Sequence, residues 1–158
     1  MVYEKKYSWR SGKSVPAQIA GEVMEMIEKR DGELTKEAFL EESRPEDAPT
    51  HNLFDWDDTT AAEKYRLTQA RMCIQDIEIT ILQHDEPKKI HAFVNTTLGK
   101  NNNASYSNIS VAMADENKRK SVLHNALTEL KTFEFKYSEY SELAGIINEI
   151  HKAERMIV

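Results

Sequence analysis

The sequence predicts an α+β fold, with N-terminal helices, a three-stranded antiparallel sheet and two C-terminal helices. Three observations predict it: apolar residues recur at helical spacing before residue 75, alternate from residue 76, and return to helical spacing after Asp115. The 158 residues suffice for one domain with a core. We therefore predict a single domain over 1–158, in which residues 1–14 are extended or loosely attached.

Two helices are predicted in the first third of the chain. Pro16 suits the first turn of a helix, where its missing N–H has no partner to lose, and Gly32 suits the left-handed position that ends one. Thr35 is the expected N-cap of a short second helix that runs to about Ser43. The apolar stripe of the first helix consists of Ile19, Val23 and Ile27 with the neighbouring Met24 and Met26.

Residues 51–71 are the densest run of unusual residues, because aromatic side chains, an acidic cluster and a helix start follow one another there. Phe54 and Trp56 are predicted to be largely buried anchors that hold the 44–57 loop against the helices. Asp57 or Asp58 is the expected N-cap of a third helix. Its apolar positions continue as far as Ile74.

Alternation of apolar and polar residues predicts three strands over 76–83, 89–97 and 104–112. The connections are short, so we predict an antiparallel meander. His84 to Pro87 forms the first turn. The apolar face shifts between Tyr106 and Ile109, which indicates a bulge in the third strand.

The last third of the chain predicts a long helix from Asp115 and a final helix that opens at Ser138 or Ser141. The final helix carries a narrow apolar seam that an opposing surface must cover. We expect a homodimer through this C-terminal helix, and an intrachain hairpin is the alternative. The seam consists of Leu143, Ile146, Ile150, Ala153 and Ile157.

Composition favours an intracellular protein. No run approaches the ~18 apolar residues of a membrane span, and the N-terminus lacks an apolar stretch of signal-peptide type. The single cysteine, Cys73, falls in the predicted third helix, where we expect a small buried side chain. These features predict an intracellular, reducing compartment and no membrane partner.

The net charge of −6 is unevenly distributed. Residues 31–63 contain 11 acidic and 2 basic residues, so the remaining chain sums to +3. This balance argues against a nucleic-acid coat over the whole surface. The acidic stretch is either a solvated surface or a face that binds another protein, as an adaptor or a DNA mimic. Its candidate partner-binding residues are Asp55, Asp57 and Asp58.

Catalytic motifs are sparse. The five scattered glycines do not form a phosphate-binding loop, and one cysteine excludes paired-cysteine zinc sites. A hard-cation site remains as a candidate for a small metal-dependent enzyme. Helix capping already explains most of its residues, so we expect neither enzymatic activity nor a cofactor. The candidate ligands are His51, Asp55, Asp57, Asp58 and Glu63.

Two basic groups are candidates for DNA binding. Three helices followed by a two-stranded ribbon give the element order of a winged helix, whose third helix and wing face DNA. The long 44–57 connection and the acidic start of the third helix argue against this interpretation. A second basic cluster opens the 115 helix, where a solvated surface is the alternative. The two groups are Lys64, Arg66, Arg71, Lys88 and Lys89, and Lys118, Arg119 and Lys120.

A distinctive set of residues runs through most of the chain: residues 34–38, His51 followed by the 54–58 run FDWDD, the 61–71 run AAEKYRLTQAR, and also 92–94 and 126–130. In these residues the chain resembles a family of small uncharacterised phage and prophage proteins. The resemblance implies a mobile-element origin and action in the bacterial cytoplasm. No activity or catalytic residue set comes with that family. We therefore expect a non-enzymatic phage accessory protein that binds DNA or a DNA-processing partner, with an adaptor that binds a host protein through the acidic stretch as the alternative.

Overall fold

Helices and two small sheets make up the fold. The computed structural model describes residues 2–58, 62–98 and 103–157. It confirms the mixed α+β class, although the order of the strands differs from the prediction. The elements are β1 Val2–Trp9, α1 Ala17–Asp31, α2 Lys36–Ser43, α3 Glu63–Asp76, β2 Ile77–Gln83, β3 Glu86–His91, β4 Phe93–Asn95, β5 Tyr106–Asn108, α4 Ile109–Ala114, α5 Glu116–Tyr137 and α6 Ala144–Ile157.

The first two helices end and begin as the sequence predicts. Gly32 adopts a left-handed conformation with φ of 80°, and its N–H donates to the Glu28 carbonyl at 2.8 Å. The Thr35 hydroxyl accepts from the Ala38 N–H at 3.1 Å, which satisfies one of the free donors at the start of α2. These caps bring α2 back alongside α1.

The larger sheet is antiparallel, with strand order β1-β2-β3. Its hairpin between β2 and β3 is confirmed, and His84 and Asp85 form the two-residue turn with φ of 53° and 63°. The edge opposite β3 is β1, whose Trp9 pairs with Ile77. The sequence analysis described residues 1–14 only as extended or loosely attached, and so missed this pairing.

The predicted third strand over 104–112 is wrong. Only Tyr106–Asn108 is extended, and it pairs with β4 in a separate two-stranded sheet. The Asn108 side-chain oxygen accepts from the Ser110 N–H at 3.1 Å and thereby starts α4 at Ile109. The shift in apolar face that indicated a bulge is therefore the change from strand to helix. The predicted 89–97 strand is also divided, into β3 and β4.

The core lies between the first three helices and the inner face of the larger sheet. Helix α1 approaches β1 so closely that a Cβ atom on Gly21 would lie 2.2 Å from Tyr7 Cδ2. Glycine is thus required by packing at this position rather than by backbone conformation. The largest fully buried side chains are Phe39, Met24, Ile27, Leu34, Leu40, Ile74, Ile77 and Ile79.

The last two helices form an antiparallel hairpin. Asp115 caps α5 as predicted, accepting from the Lys118 N–H at 2.9 Å. Within the predicted seam, Ile150 is 3 % exposed whereas Ile146 is 50 % exposed, so α5 covers only part of the seam. The hairpin alternative is therefore present within the chain, and the homodimer stays a prediction. None of the helices in the described ranges is long and apolar enough to cross a membrane.

Replacement of Gly21 by alanine tests the contact between α1 and β1. We expect Gly21→Ala to lower the free energy of unfolding by about 2 kcal/mol, because displacing the buried Tyr7 ring outweighs the gain in helix propensity. The matched control is Gly145→Ala in α6, where a Cβ atom meets nothing within 4 Å. That variant should gain up to about 1 kcal/mol. Urea denaturation measures both, and equal effects would contradict the packing explanation.

Thiol reactivity tests the burial of Cys73. The side chain is 2 % exposed, and burial raises the pKa of its thiol to about 11. The reactive thiolate is therefore scarce at neutral pH, and the sulfur is also shielded from reagents. We expect an aromatic disulfide reagent to label the native protein only as fast as the protein opens, and at once in denaturant. Labelling of native protein at the rate of a free thiol would contradict this.

Candidate partner-binding face

Trp56 lies in the 44–58 loop, where it contacts a turn formed by the residues just before it. A single 3-10 turn, His51–Leu53, reverses the chain, so the Trp56 indole N–H donates to the His51 carbonyl at 2.8 Å. The His51 ring stacks on the indole, with centroids 4.8 Å apart and planes 6° apart. Phe54 is buried, as predicted. Trp56 is mostly buried and packs against the hydrophobic core, as predicted for an anchor, while a minor part of its surface stays exposed.

Two arginines flank the indole ring. The guanidinium carbons of Arg66 and Arg44 lie 5.1 and 5.7 Å from the ring of Trp56, within the range of cation–π attraction. We call these side chains, with the stacked His51, the Trp56 cluster. Trp56 is thereby held in one orientation while part of its surface remains in contact with solvent.

Arg66 is a structural residue of this cluster. Its side chain is 7 % exposed, and it donates from Nε to the Asp55 carbonyl at 3.0 Å and from Nη2 to Asp58 at 2.5 Å. The prediction that Arg66 faces DNA is wrong, because these bonds leave its side chain no surface for a phosphate group. Asp58 is likewise no helix cap, since α3 begins at Glu63 with Ala62 in the cap position. Neither Asp57 nor Asp58 fills the predicted capping role.

Arg44 joins the loop to two helices. Its Nη2 donates to Glu41 on α2 at 2.6 Å and to Glu63 on α3 at 2.8 Å. The hydrogen bond and charge of Arg44 hold the pKa of the Glu41 carboxyl below its usual range. Both carboxylates lie near the surface, so the contact orders the loop more than it stabilises the fold.

The predicted metal ligands do not assemble. His51 directs Nδ1 at the Ser43 carbonyl, 3.1 Å away, while Asp58 and Glu63 contact Arg66. Within 2–58, 62–98 and 103–157, no three His, Cys, Asp or Glu side chains are arranged to hold a metal ion. Asp58 and Glu63 thus form ion pairs with Arg66 instead of converging on a common cation. Their closeness in sequence therefore does not produce a cation site.

The acidic residues of the 31–63 stretch lie at the surface. Ten of the eleven are exposed and the other, Glu42, is half-buried. We call this surface the acidic face; Glu41 and Glu63 connect it to the Trp56 cluster through Arg44. The candidate partner-binding residues are on it. Its members are Asp31, Glu33, Glu37, Glu41, Glu42, Glu46, Asp47, Asp55, Asp57, Asp58 and Glu63.

The structure separates several of the basic candidates. Lys88 and Lys89 are exposed neighbours on β3, so they point to opposite sides of the sheet. Lys118 turns inward and donates to Ser107 Oγ at 3.1 Å. The solvent-exposed candidates are Lys64 and Arg71 on α3, with Lys88 and Lys89 on β3 and Arg119 and Lys120 on α5.

A buried polar cluster that sequence reasoning missed lies at the other end of α1. The Glu28 carboxylate is 7 % exposed and accepts from Ser107 Oγ at 2.5 Å and from the Asn108 N–H at 2.9 Å. An open groove of about 290 Å³ adjoins it, between α1, α4 and α5. A sequence signal existed, because Glu28 follows Met24 by four positions and so lies beside this apolar residue on the same face of α1.

Comparison with known proteins does not identify the chain. No protein-family model matches it, and no match was found among the curated proteins or the solved structures. The resemblance to phage and prophage proteins therefore stays a prediction from the residues that carry it. The function has to be argued from the surfaces described above.

Replacement of Arg66 tests its structural role. We expect Arg66→Ala to lower the free energy of unfolding by about 2 kcal/mol, because it removes a buried charged hydrogen bond and one side of the Trp56 packing. Arg71→Ala, on the exposed side of the same helix, should stay within about 0.5 kcal/mol of the parent. Chemical denaturation compares the two. An Arg66→Ala variant that is as stable as Arg71→Ala would show that Arg66 is dispensable for folding.

A carboxyl titration tests the contact between Arg44 and Glu41. Arg44→Ala should raise the pKa of Glu41 toward its ordinary value, whereas Arg71→Ala should leave it low. Since the folded-state pKa is the lower one, the contact stabilises above the unfolded pKa and its contribution is lost as pH falls through the folded value. Side-chain carboxyl NMR follows both variants. An unchanged Glu41 titration in Arg44→Ala would refute the contact.

Proposed function

We propose that this chain is a non-enzymatic accessory protein that binds a basic protein surface through the acidic face, with the Trp56 cluster at the centre of contact. The observation that carries the proposal is a partly exposed tryptophan held between ordered arginine and histidine side chains, and flanked by exposed carboxylates. The resemblance to phage and prophage proteins suggests that the partner is a bacterial host protein.

Tryptophan and arginine are the residues that most often dominate protein–protein binding energy. Here both are already ordered before binding, because His51, Glu41 and Glu63 hold them in place. A preordered contact loses less side-chain entropy when a partner docks. The Trp56 cluster therefore suits recognition by docking of a preformed surface.

The charge of the acidic face suits a basic partner. A local balance of −9 over residues 31–63 steers a positively charged surface toward it and repels nucleic acid. The basic partner could itself be a DNA-binding protein, for which the acidic face would act as a DNA mimic. Sensitivity of complex formation to salt is expected in either case.

Direct DNA binding is the second candidate function. It is favoured by the exposure of Lys64, Arg71, Lys88 and Lys89, and is weakened by the burial of Arg66. Phosphate contacts require free basic side chains, and each contact adds to the salt dependence of binding. Fluorescence anisotropy with a labelled duplex and a single-stranded oligonucleotide separates this candidate from the first.

The decisive experiment is affinity capture from a bacterial lysate with the full chain as bait. The double substitution Glu46→Lys/Asp47→Lys reverses two exposed charges of the acidic face. We expect it to reduce the captured partner at least tenfold, and Trp56→Leu to do the same. The matched control, Lys88→Glu/Lys89→Glu, should capture as much partner as the parent.

The opposite pattern would reject the proposal. If the Lys88/Lys89 variant alone loses the captured material, and nuclease treatment of the lysate also removes it, the chain binds nucleic acid through its basic residues. Capture that none of the three variants alters would place the partner site elsewhere. Thermal melts of all variants confirm that they remain folded.

A further inference from the structure

The α5–α6 hairpin buries too few apolar side chains to form a complete helical bundle by itself. The 22 residues of α5 bury only Leu127, and the 14 residues of α6 bury only Ile150, within the described side chains. Helical bundles instead bury an apolar position on almost every turn of each helix. The hairpin therefore leaves apolar side chains of both helices without a covering surface.

These uncovered side chains form two rows beside the helix–helix contact. On α5, Leu130 is 36 % exposed and Tyr137 is 40 % exposed, with the partly buried Phe133 between them at helical spacing. On α6, Ile146 is 50 % exposed and lies seven residues from the partly buried Ala153. On each helix, the exposed row is rotated about the helix axis away from the buried contact residue, and the sense of rotation is the same on both helices. In an antiparallel pair, positions rotated in the same sense lie on the same side of the pair.

The rows are held in place before any partner binds. On α5 the rings of Phe133 and Tyr137 contact each other, with centroids 4.9 Å apart. Glu134 bonds to His151 of α6 at 2.5 Å, and Lys131 bonds to Glu154 of the same helix. These contacts fix α6 against α5, so the exposed rows form one continuous surface, which we call the hairpin face.

Charge indicates which partner the hairpin face fits. Residues 116–157 contain seven acidic and seven basic residues, so the hairpin region is neutral and the rest of the chain carries the whole net charge of −6. Two copies would repel each other through their acidic faces but not through this region. A strongly charged protein would gain no electrostatic attraction here. The chemistry therefore matches a second copy of this chain.

We propose that two copies join their hairpin faces about a two-fold axis, to form a four-helix bundle from two α5–α6 hairpins. Leu130, Phe133 and Tyr137 of each copy would face Ile146 and Ala153 across the interface. This goes beyond the proposed partner binding, which uses a different surface. It also revises the expectation of pairing through the last helix alone, because α5 contributes half of the surface.

Light scattering and sedimentation equilibrium on the full chain test the proposal across a wide concentration range. The parent protein should show twice the chain mass of 18.2 kDa. Ile146→Glu and Leu130→Glu each place a charge within the interface, and should weaken dimerisation at least a hundredfold. The control Phe135→Glu, at a residue that is 87 % exposed on another side of α5, should leave the dimer unchanged.

Three results would overturn the proposal. The first is a parent protein that is a monomer at every concentration tested. The second is a dimer that persists in both interface variants, and the third is a Phe135→Glu variant that disrupts the dimer as strongly as they do. Circular dichroism of each variant checks the fold. If a glutamate variant unfolds, Tyr137→Arg replaces it, because that side chain is already partly in solvent and its monomer should remain folded.

Discussion

The position of the Tyr7 ring is the constraint on which the arrangement of both sheets depends. The ring packs on Gly21 of α1, where no Cβ atom fits, and stacks on Phe93 of β4 with centroids 6.3 Å apart. Its hydroxyl donates to Glu25 and accepts from Asn108 of β5 at 3.1 Å. One side chain therefore relates β1 to the first helix and to the smaller sheet. Burial and the neighbouring carboxylates raise the pKa of its hydroxyl, so it remains a hydrogen-bond donor over the whole physiological range.

The polar cluster around Glu28 extends this constraint toward the C-terminal helices. Glu28 binds Ser107 and the Asn108 backbone, and Lys118 of α5 donates to the same Ser107 hydroxyl. A buried carboxylate costs free energy unless its oxygens are bonded, and here every bond reaches an element far away in sequence. The cluster consequently favours one placement of β5 and of the start of α5. It links the body of the fold to the hairpin by direction-dependent bonds rather than by apolar contact.

Local signals in the sequence were sufficient to predict where several helices begin and end. They were insufficient to predict which strands pair with each other. Gly32, Thr35 and Asp115 terminate or cap helices as predicted, because capping depends on a few neighbouring residues. The partner of β1 could not be deduced, because alternation reveals a strand but not the strand beside it. Asn108 is both the last residue of β5 and the cap of α4, so the alternation that predicts a strand did not show that the strand ends there. In the candidate site, Phe54 and the exposed carboxylates were predictable, whereas the burial of Arg66 depends on a fold of the loop that no periodicity encodes.

The pairing of β1 with β2 also determines when this protein can finish folding. On a ribosome, residues 2–9 leave the exit tunnel long before their partner, residues 77–83, has been synthesised. At roughly 5–20 residues per second, the nascent first strand waits for several seconds with its hydrogen-bonding edge uncovered. Helix α1 follows immediately in the chain and is the nearest element able to shelter it. An uncovered strand edge can recruit other chains, so this delay is the interval in which the growing polypeptide depends most on α1, or on a chaperone, to avoid aggregation.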